Sequence, residues 1–259
     1  MPVLETRALT VRFGGHVAVN AVTCAFEPGT LTAIVGPNGA GKTTYFNLIS
    51  GQLPATEGEV IFKGENITAL GPHLRTRRGL GRAFQLTNLF PNLTVLENVR
   101  LAVQARLAPR VDLFSMASRH RDLIDAAHGY LNRVALGPRA HTRAAVLSHG
   151  DQRKLEVALM LALEPDVFMF DEPTAGMSVD EVPVLLDLIE AIKQDKSKTI
   201  LLVEHKMDVV RRLADRIIVL VNGALVADGK PAEVVALPVV QEAYLGIRRP
   251  KHSGEPAHG

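Results

Sequence analysis

Hydrophobic residues in the first third of the chain come in short runs that are separated by glycine turns. Residues 3–35 predict three short strands, and GEVIFKGENI (58–67) predicts a further hairpin. The third of the short strands, TLTAIV (30–35), leads into a glycine-rich loop. A helix is predicted from about Lys42 to Ser50, where a following glycine favours helix termination.

The hydrophobic pattern changes between about Leu86 and Glu164. LTVLENVRLAVQARL (93–107) and RHRDLIDAAHGYLNRVAL (119–136) carry apolar residues at helical spacing, and strand patterns vanish. LSHGDQRKLEVALML (147–161) is a short polar turn that leads into an amphipathic helix. These patterns predict a helical subdomain that is inserted into an α/β domain.

Strands and helices alternate again in the last third of the chain. The predicted elements are, in order, strand VFMF (167–170), helix 180–194, strand 198–203, helix 206–214 and strand 216–221. Asn-Gly at the centre of VNGAL (221–225) predicts a hairpin turn. The tail from Arg248 is polar and rich in proline and glycine, which predicts disorder.

The composition is that of an ordinary globular protein. Of 259 residues, 47% are hydrophobic and 22% are charged, which suits one α/β domain with an insertion. The net charge of +2 and the dispersed basic residues leave no electrostatic footprint for nucleic acid, so no nucleic-acid partner is expected. The single cysteine, Cys24, excludes an internal disulfide framework, fits a reducing compartment and predicts a small buried apolar residue.

The apolar runs also bear on where the protein works. None approaches the roughly 18 residues that a bilayer crossing requires. The first residues lack the charged-then-apolar pattern of a signal peptide. We therefore expect a cytoplasmic protein, in which any membrane role comes through a partner.

The stretch GPNGAGKTT (36–44) matches G-x-x-x-x-G-K-[ST] and stands between a predicted strand and a predicted helix. Its glycines let the backbone N–H groups surround phosphates, Lys42 reaches the β- and γ-phosphates, and Thr43 offers a hydroxyl to Mg²⁺. The loop therefore predicts a nucleoside triphosphate. The residues assigned to it are Gly36, Pro37, Asn38, Gly39, Ala40, Gly41, Lys42, Thr43 and Thr44.

An apolar strand ends in two carboxylates in VFMFDE (167–172). A buried strand that delivers an acid at its carboxyl end is a common way to place a Mg²⁺-coordinating aspartate, and Asp171 takes that role. Glu172 projects differently and can accept a proton from the attacking water as general base. Acids also cap helices, which is the structural alternative.

The class of triphosphatase follows from further motifs. No N-K-x-D element is present, so the guanine recognition of a GTPase is not expected. LSHGDQ (147–152) resembles the LSGGQ signature of ATP-binding cassette (ABC) proteins, with His149 in place of the first glycine. The motif order agrees: phosphate loop, Gln85 in RAFQ, signature, DEPTAGMS, and His205 in VEHKM.

The resemblance covers residues 1–246 and implies a fold: a P-loop NTPase core of the ABC ATPase type, with an antiparallel β subdomain and an inserted α-helical subdomain. It implies a single ABC ATPase domain. The catalytic core would take residues 1–86 and 165–246, the helical subdomain residues 87–164, and a disordered tail residues 247–259.

The resemblance also implies roles for single residues. Phe13 would stack on adenine, with a core phenylalanine as the alternative. Gln85 would touch Mg²⁺ and the attacking water, with a structural glutamine as the alternative. His205 would contact the γ-phosphate and help to hold the water, with a core histidine as the alternative. ATP and Mg²⁺ are the cofactors that follow.

Two nucleotide-binding domains pair head to tail in this family. The resemblance implies that Ser148, Gly150 and Gln152 contact the ATP held by the phosphate loop of a second ATPase subunit, identical or paralogous. A helix N-terminus, with its partial positive charge and unpaired N–H donors, suits that task. The alternative is that Ser148 is a simple helix N-cap.

Two departures from the family pattern stand out. AGMS (175–178) replaces the usual S-A-L-D after DEPT, and Asp180 comes two places late, so the cross-dimer contacts of that loop are open. His149 is bulkier than glycine, so its backbone should avoid conformations that only glycine tolerates.

Within the ABC proteins, FGGHVAV (13–19), LSHG, DEPTAGM and AYLG (243–246) resemble the branched-chain amino acid uptake group. This implies the ATPase of an importer for such amino acids or for related amino acids and amides. It also implies two transmembrane permease subunits, a solute-binding protein acting through them, and a peripheral location on the cytoplasmic face of the inner membrane.

Two alternatives remain open from the sequence. One is the ATPase of an exporter, such as the lipopolysaccharide-export system, whose sequences are close to this group. The other is a soluble ABC ATPase of DNA repair or translation. Proteins of that kind usually carry two cassettes, long coiled-coil inserts or strongly basic arms, and none is visible here.

Overall fold

The computed structural model describes residues 1–83, 89–107 and 116–245, with side chains except those of 116–120 and 243–245. Within these ranges the strands are β1 (Leu4–Phe13), β2 (His16–Phe26), β3 (Leu31–Val35), β4 (Glu57–Phe62), β5 (Glu65–Asn66), β6 (Leu80–Arg82), β7 (Val167–Asp171), β8 (Thr199–Val203), β9 (Arg216–Val221) and β10 (Ala224–Gly229). The helices there are α1 (Lys42–Ser50), α2 (Pro72–Arg77), α3 (Val95–Leu107), α4 (Met116–Arg133), α5 (His149–Leu163), α6 (Glu181–Gln194), α7 (Met207–Leu213), α8 (Pro231–Val235) and α9 (Pro238–Leu245).

The N-terminal strands form an antiparallel sheet in the order β2-β1-β4-β5. Strands β1 and β2 form a hairpin in which Phe13 pairs with His16 across the turn. The inward side chains of this sheet share one buried cluster with residues of α1, such as Phe46, and with Leu201 of β8. The antiparallel sheet therefore packs against the helix that follows the glycine-rich loop.

A second sheet has the strand order β10-β9-β3-β8-β7-β6. Adjacent strands from β9 to β6 run parallel, and β10 pairs antiparallel with β9. Every residue of β3, β7 and β8 is buried. Continuous apolar strands of this kind are expected where both faces of a parallel sheet are covered.

The register of the parallel strands aligns their carboxyl ends. Val203 of β8 pairs with Ile34 of β3 on one side and with Asp171 of β7 on the other. The residues that follow these strands therefore leave the sheet at one edge. That edge is where ligands bind in open α/β sheets.

Helices α3, α4 and α5 pack against one another between β6 and β7 in the chain. Their inner faces supply buried residues such as Val99, Leu131 and Leu155 to a cluster that also contains Phe168 and Phe170 of β7. The helical layer and the parallel sheet thus share one hydrophobic core.

Most predicted elements are confirmed, and α1 has the predicted bounds. The Asn-Gly hairpin is confirmed by Asn222 and Gly223, which both have positive φ, and by the pairing of Ala224 with Val221. The sequence patterns do not predict α2, β6, α8 or α9. These elements are short, three begin at proline, and none carries a long periodic pattern.

Cys24 is buried, as predicted, and burial raises the pKa of its thiol to about 11. A thiol in such surroundings is unreactive, because the thiolate is the nucleophilic form. None of the helices in the described ranges combines the length and the apolar character that a bilayer crossing needs.

The helical layer allows a matched test of packing. Leu131 of α4 is 0% exposed, whereas Leu107 at the end of α3 is 58% exposed. We expect Leu131→Ala to lower the free energy of unfolding by about 2–5 kcal/mol, because it removes buried methyl groups and leaves a cavity. Leu107→Ala should change it by about 0.5 kcal/mol or less. Urea unfolding measures both, and equal losses would contradict the assigned core.

Candidate nucleotide site

The glycine-rich loop joins β3 to α1 at the sheet edge described above. Gly36 has φ 154°, and a Cβ there would overlap the carbonyl oxygen of Leu220. Gly41 has φ 92°, and a Cβ there would overlap the carbonyl oxygen of Ala18. Only glycine fits at these two positions, because the backbone has positive φ and a neighbouring carbonyl lies too close for a Cβ. This conformation lets the loop curl so that its N–H groups can surround phosphates.

Lys42 is the first residue of α1 and is buried. Its ammonium donates to the carbonyl oxygens of Gly36 at 2.7 Å and Pro37 at 3.0 Å. Burial lowers the pKa of Lys42, and the nearby carboxylates of Glu172 and Asp171 oppose that shift. The lysine is thus held over the loop, where phosphate oxygens would be stronger acceptors than the carbonyls.

Asp171 is the last residue of β7, and its side chain is 0% exposed. Its Oδ2 accepts a hydrogen bond from Nη2 of Arg82 at 2.9 Å. Its Oδ1 is buried and has no hydrogen-bond partner among the described residues. Burial raises the pKa of this carboxyl group, and the Arg82 guanidinium opposes the shift.

The unpaired oxygen bears on the magnesium that the sequence predicts. A buried carboxylate oxygen without a donor calls for a further partner, and carboxylate oxygen is a ligand that Mg²⁺ favours. Asp171 is also close enough to Lys42 for each to affect the pKa of the other. Thr43, the other described residue assigned to the metal, follows Lys42 in the first turn of α1. The described residues therefore fit a hydrated magnesium ion beside bound phosphates.

Glu172 follows Asp171 in a left-handed conformation with φ 47°. Its N–H donates to the carbonyl oxygen of Val203 at 2.9 Å, and its own carbonyl accepts from Ala175 N–H at 3.0 Å. Such a conformation costs a non-glycine residue about 1–3 kcal/mol and is often found at functional sites. It leaves the side chain 31% exposed, unlike that of Asp171. The two adjacent acids therefore occupy different environments.

His205 lies beside Glu172 at the same edge. Its side chain is 49% exposed, which excludes the alternative of a core histidine. Its Nδ1 is 3.8 Å from Oε1 of Glu172 and 3.6 Å from Oε2 of Glu204. The structure thus brings together the predicted general base and the predicted γ-phosphate contact, at distances longer than a direct hydrogen bond.

Glu204 is a residue of this site that the sequence motifs do not indicate. Its side chain is 0% exposed, and its Oε1 accepts from the hydroxyl of Thr174 at 2.6 Å. Its Oε2 accepts from the N–H groups of His205 at 2.7 Å and Lys206 at 3.1 Å. Glu204 therefore ties the loop after β7 to the loop after β8. The sequence did contain a signal, since Glu204 directly follows the apolar strand TILLV (199–203). A glutamate in such a place is rarely buried without partners, so it indicates a residue with specific contacts.

Arg82 is a second residue that the motifs do not indicate; it forms an ion pair with Asp171, and only 6% of its side chain is exposed. No pattern in the sequence indicates that an arginine at the end of a three-residue strand is buried. Gln85, three residues further on, lies outside the described residues, as does the predicted tail 247–259.

Phe13 ends β1 and is 52% exposed. Its exposure excludes the alternative of a core strand phenylalanine. An exposed aromatic ring on a hairpin is available for stacking on a base. Adenine stacking by Phe13 remains a prediction.

The signature residues lie at the start of α5. Ser148 is the helix N-cap, and its Oγ accepts from Asp151 N–H at 3.2 Å, so the capping alternative is realised. Ser148 is nevertheless exposed, so capping does not close it off from a partner molecule. The Gln152 amide donates to the carbonyl of Leu147 at 3.2 Å, and the Glu181 carboxylate lies directly against Gly150.

The two departures from the family pattern lie in contact with each other. A Cβ on Gly176, in the AGMS loop, would lie 3.2 Å from Cδ2 and 3.3 Å from Nε2 of His149. The histidine ring therefore packs over this glycine. His149 itself has no positive φ, so the prediction about its backbone is confirmed. Within the described residues, no cluster of His, Cys, Asp or Glu is arranged to hold a metal by itself.

Comparisons with known proteins place this geometry in context. A family model described as ABC transporter matches residues 19–175. The chain is 38% identical over 250 residues to the high-affinity branched-chain amino acid transport ATP-binding protein BraF of Pseudomonas aeruginosa, covering 95% of this chain and 98% of the relative. It is 36% identical over 252 residues to the corresponding LivG protein of Escherichia coli, covering 95% and 98%.

Two solved structures of ATP-binding cassettes are similar in fold to this chain. The ADP conformation of an ATP-binding cassette of an ABC transporter matches with a TM-score of 0.81 and 28% identity, covering 95% of this chain and 100% of that one. A dimeric, post-hydrolysis ATP-binding cassette bound to ADP and Pi matches with a TM-score of 0.76 and 27% identity, covering 88% and 98%.

The contacts of Glu204 generate a prediction about stability. Glu204→Ala removes the acceptor for one buried hydroxyl and two N–H groups, so we expect the free energy of unfolding to fall by about 1–3 kcal/mol. Glu204→Gln should lose less, because an amide oxygen can still accept from the two N–H groups. Urea unfolding measures both, with Glu242→Ala on the exposed surface as control. A loss no larger than that of the control would show that these hydrogen bonds contribute nothing.

Proposed function

This chain belongs to the ABC transporter family and is an ATPase, and on that premise we propose that it powers an importer of branched-chain amino acids or of related amino acids and amides. The observation that carries the proposal is the 36–38% identity, over 95% of the chain, to ATP-binding proteins named for branched-chain amino acid transport. The fold class predicted from the motifs, an ABC-type P-loop core with an antiparallel β subdomain and a helical insertion, is the fold of the solved relatives.

The site residues divide the hydrolysis between them. Lys42 and the loop N–H groups bind the β- and γ-phosphates, because they supply positive charge and hydrogen-bond donors, and Lys42 exchanges its carbonyl contacts for phosphate oxygens. Glu172 accepts the proton of the attacking water, and His205 holds the γ-phosphate from the neighbouring loop. Thr43, Gln85 and Asp171 would hold magnesium, which would supply positive charge to neutralise the phosphates. Phe13 stacks on the adenine.

Each ATP lies between two ATPase subunits in this proposal. Ser148, Gly150 and Gln152 of one subunit contact the nucleotide on the phosphate loop of the other. The exposure of Ser148 and the dimeric form of a similar cassette bound to ADP and Pi support this arrangement. ATP favours the closed dimer over the open one, because both subunits contact its γ-phosphate. Loss of the γ-phosphate removes this shared contact.

The remaining partners follow from the family. The ATPase domain spans residues 1–246 as one unit, with its core in 1–86 and 165–246 and the helical subdomain in 87–164. The helical subdomain transmits closure of the dimer to two transmembrane permease subunits, which receive the solute from a binding protein. The ATPase is peripheral, on the cytoplasmic face of the inner membrane.

Replacing the general base tests the hydrolytic mechanism. Glu172→Gln should keep ATP binding, lower turnover by about 10²-fold or more, and accumulate an ATP-bound dimer, because binding groups remain while the proton acceptor is gone. Phosphate release and size-exclusion chromatography with ATP measure these effects, with Glu65→Gln on the surface as control. Adding Ser148→Arg to Glu172→Gln should remove the dimer. Normal turnover in Glu172→Gln would refute the assignment of the base.

Reconstitution tests the transport function. The chain should co-purify with two different permease proteins, and in proteoliposomes a binding protein loaded with a branched-chain amino acid should stimulate its ATPase activity. Methionine, urea, short amides and an empty binding protein serve as comparisons. Stimulation by an exported lipid and by none of these solutes would favour the exporter alternative instead.

A further inference from the structure

Arg82 joins parts of the site that are far apart in the chain. We propose that Arg82 is a positioning residue for magnesium binding: it holds one carboxylate oxygen of Asp171, leaves the other oxygen for the ion, and ties that carboxylate to the helix of the phosphate loop. This inference rests on the proposed ATP hydrolysis and deepens it, because it assigns a role to a residue outside the predicted nucleotide and metal ligands.

The contacts of Arg82 connect two structural elements of the site. Its Nη2 donates to Asp171 at 2.9 Å, at the end of β7. Its Nη1 donates to Oδ1 of Asn47 at 2.6 Å and to Oγ of Ser50 at 2.8 Å, both on α1. Nη1 also lies 3.2 Å from Oε1 of Gln52, and the guanidinium carbon lies 5.3 Å above the ring of Phe46.

The partners of Arg82 on α1 belong to the same helix as two predicted ligands of the nucleotide and the metal. The helix α1 carries Lys42 and Thr43 in its first turn and Asn47 and Ser50 in its last two turns. Arg82 therefore sets the distance between the helix that carries Thr43 and the strand that carries Asp171. These are the two described residues assigned to the ion.

The chemistry of the pair argues for more than a structural purpose. A buried arginine–carboxylate pair costs desolvation, and well-packed apolar residues often replace such a pair without loss of stability. Here the pair occupies one carboxylate oxygen of Asp171, and the other is buried with no donor from the residues that the structure describes. That asymmetry fits a ligand that is oriented by its neighbour, and loss of such an outer partner costs about 10–100-fold in metal affinity or activity in known sites.

The protein contains a matched control for this inference. Arg75 is also buried, and its guanidinium also contacts the end of α1, where Nη1 donates to the carbonyls of Leu48 and Ile49, both at 2.7 Å. Its other hydrogen bonds within the described ranges go to the carbonyls of Leu70 and Thr68. Arg75 thus resembles Arg82 in its burial and in its contact with the end of α1. Its hydrogen bonds go to backbone carbonyls, whereas Arg82 also binds the carboxylate of Asp171.

The experiment measures binding of a fluorescent N-methylanthraniloyl ATP, first in EDTA and then during titration with MgCl₂. In Arg82→Met, the dissociation constant in EDTA should stay within about threefold of the parent value, because the phosphate loop and Lys42 remain. The Mg²⁺ concentration that gives half of the affinity gain should rise by about 10–100-fold. Arg82→Lys should show a smaller rise, because lysine restores the charge but not the planar fork.

Arg75→Met should lower the melting temperature of the nucleotide-free protein without moving the Mg²⁺ midpoint. If Arg82→Met or, should that variant not fold, Arg82→Lys has the Mg²⁺ midpoint of Arg75→Met, Arg82 is only structural and the inference is overturned. If the parent binds the ATP analogue but gains no affinity from Mg²⁺, the inference also falls. If the parent does not bind the analogue at all, the proposed function fails with it.

Discussion

Parallel, in-register pairing of β3, β8 and β7 is the constraint on which the site depends. The pairing of Ile34, Val203 and Asp171 across three strands makes the chain leave the sheet three times at one level. Each exit delivers a different chemical group: the phosphate loop after β3, the adjacent acids at the end of β7, and the Glu204–His205 pair after β8. A slip of one residue would turn each side chain to the opposite face of the sheet. The fully buried sequences of these strands resist that slip, because the helices that cover both faces pack against defined side chains.

The buried carboxylates at this edge are stabilised by hydrogen bonds from other residues and not by solvent. Asp171 and Glu204 are both buried, and each is held by contacts from a distant part of the chain. Glu172 and His205 are partly exposed and lie within 3.8 Å of each other. The buried pair of carboxylates sets positions, and the exposed pair is accessible to a substrate. This division follows from solvation, since a buried charge is tolerated only when its partners are fixed.

The helical layer connects this edge to the signature residues. It shares one hydrophobic core with the parallel sheet, and this core contains buried residues of both α5 and β7. Near the start of α5, the His149 ring packs over Gly176 of the loop that follows Asp171 and Glu172. The two departures from the family pattern are therefore complementary in shape. Because a larger side chain at position 176 would displace the ring, histidine at 149 and glycine at 176 are best understood as one feature.

The sequence alone determined the features that depend on neighbouring residues. Apolar runs specified the buried strands, the positions of glycines specified the phosphate loop and the Asn-Gly hairpin, and motif order specified the family. It did not determine β6, which lacks a periodic pattern and is held as an edge strand by pairing with β7. Nor did it determine the pairing of Arg82 with Asp171, of Glu204 with Thr174, or of His149 with Gly176. These residues are 89, 30 and 27 positions apart. Only the tertiary structure decided these contacts, because a buried polar group finds its partner through the packing of sheets and helices and not through local spacing.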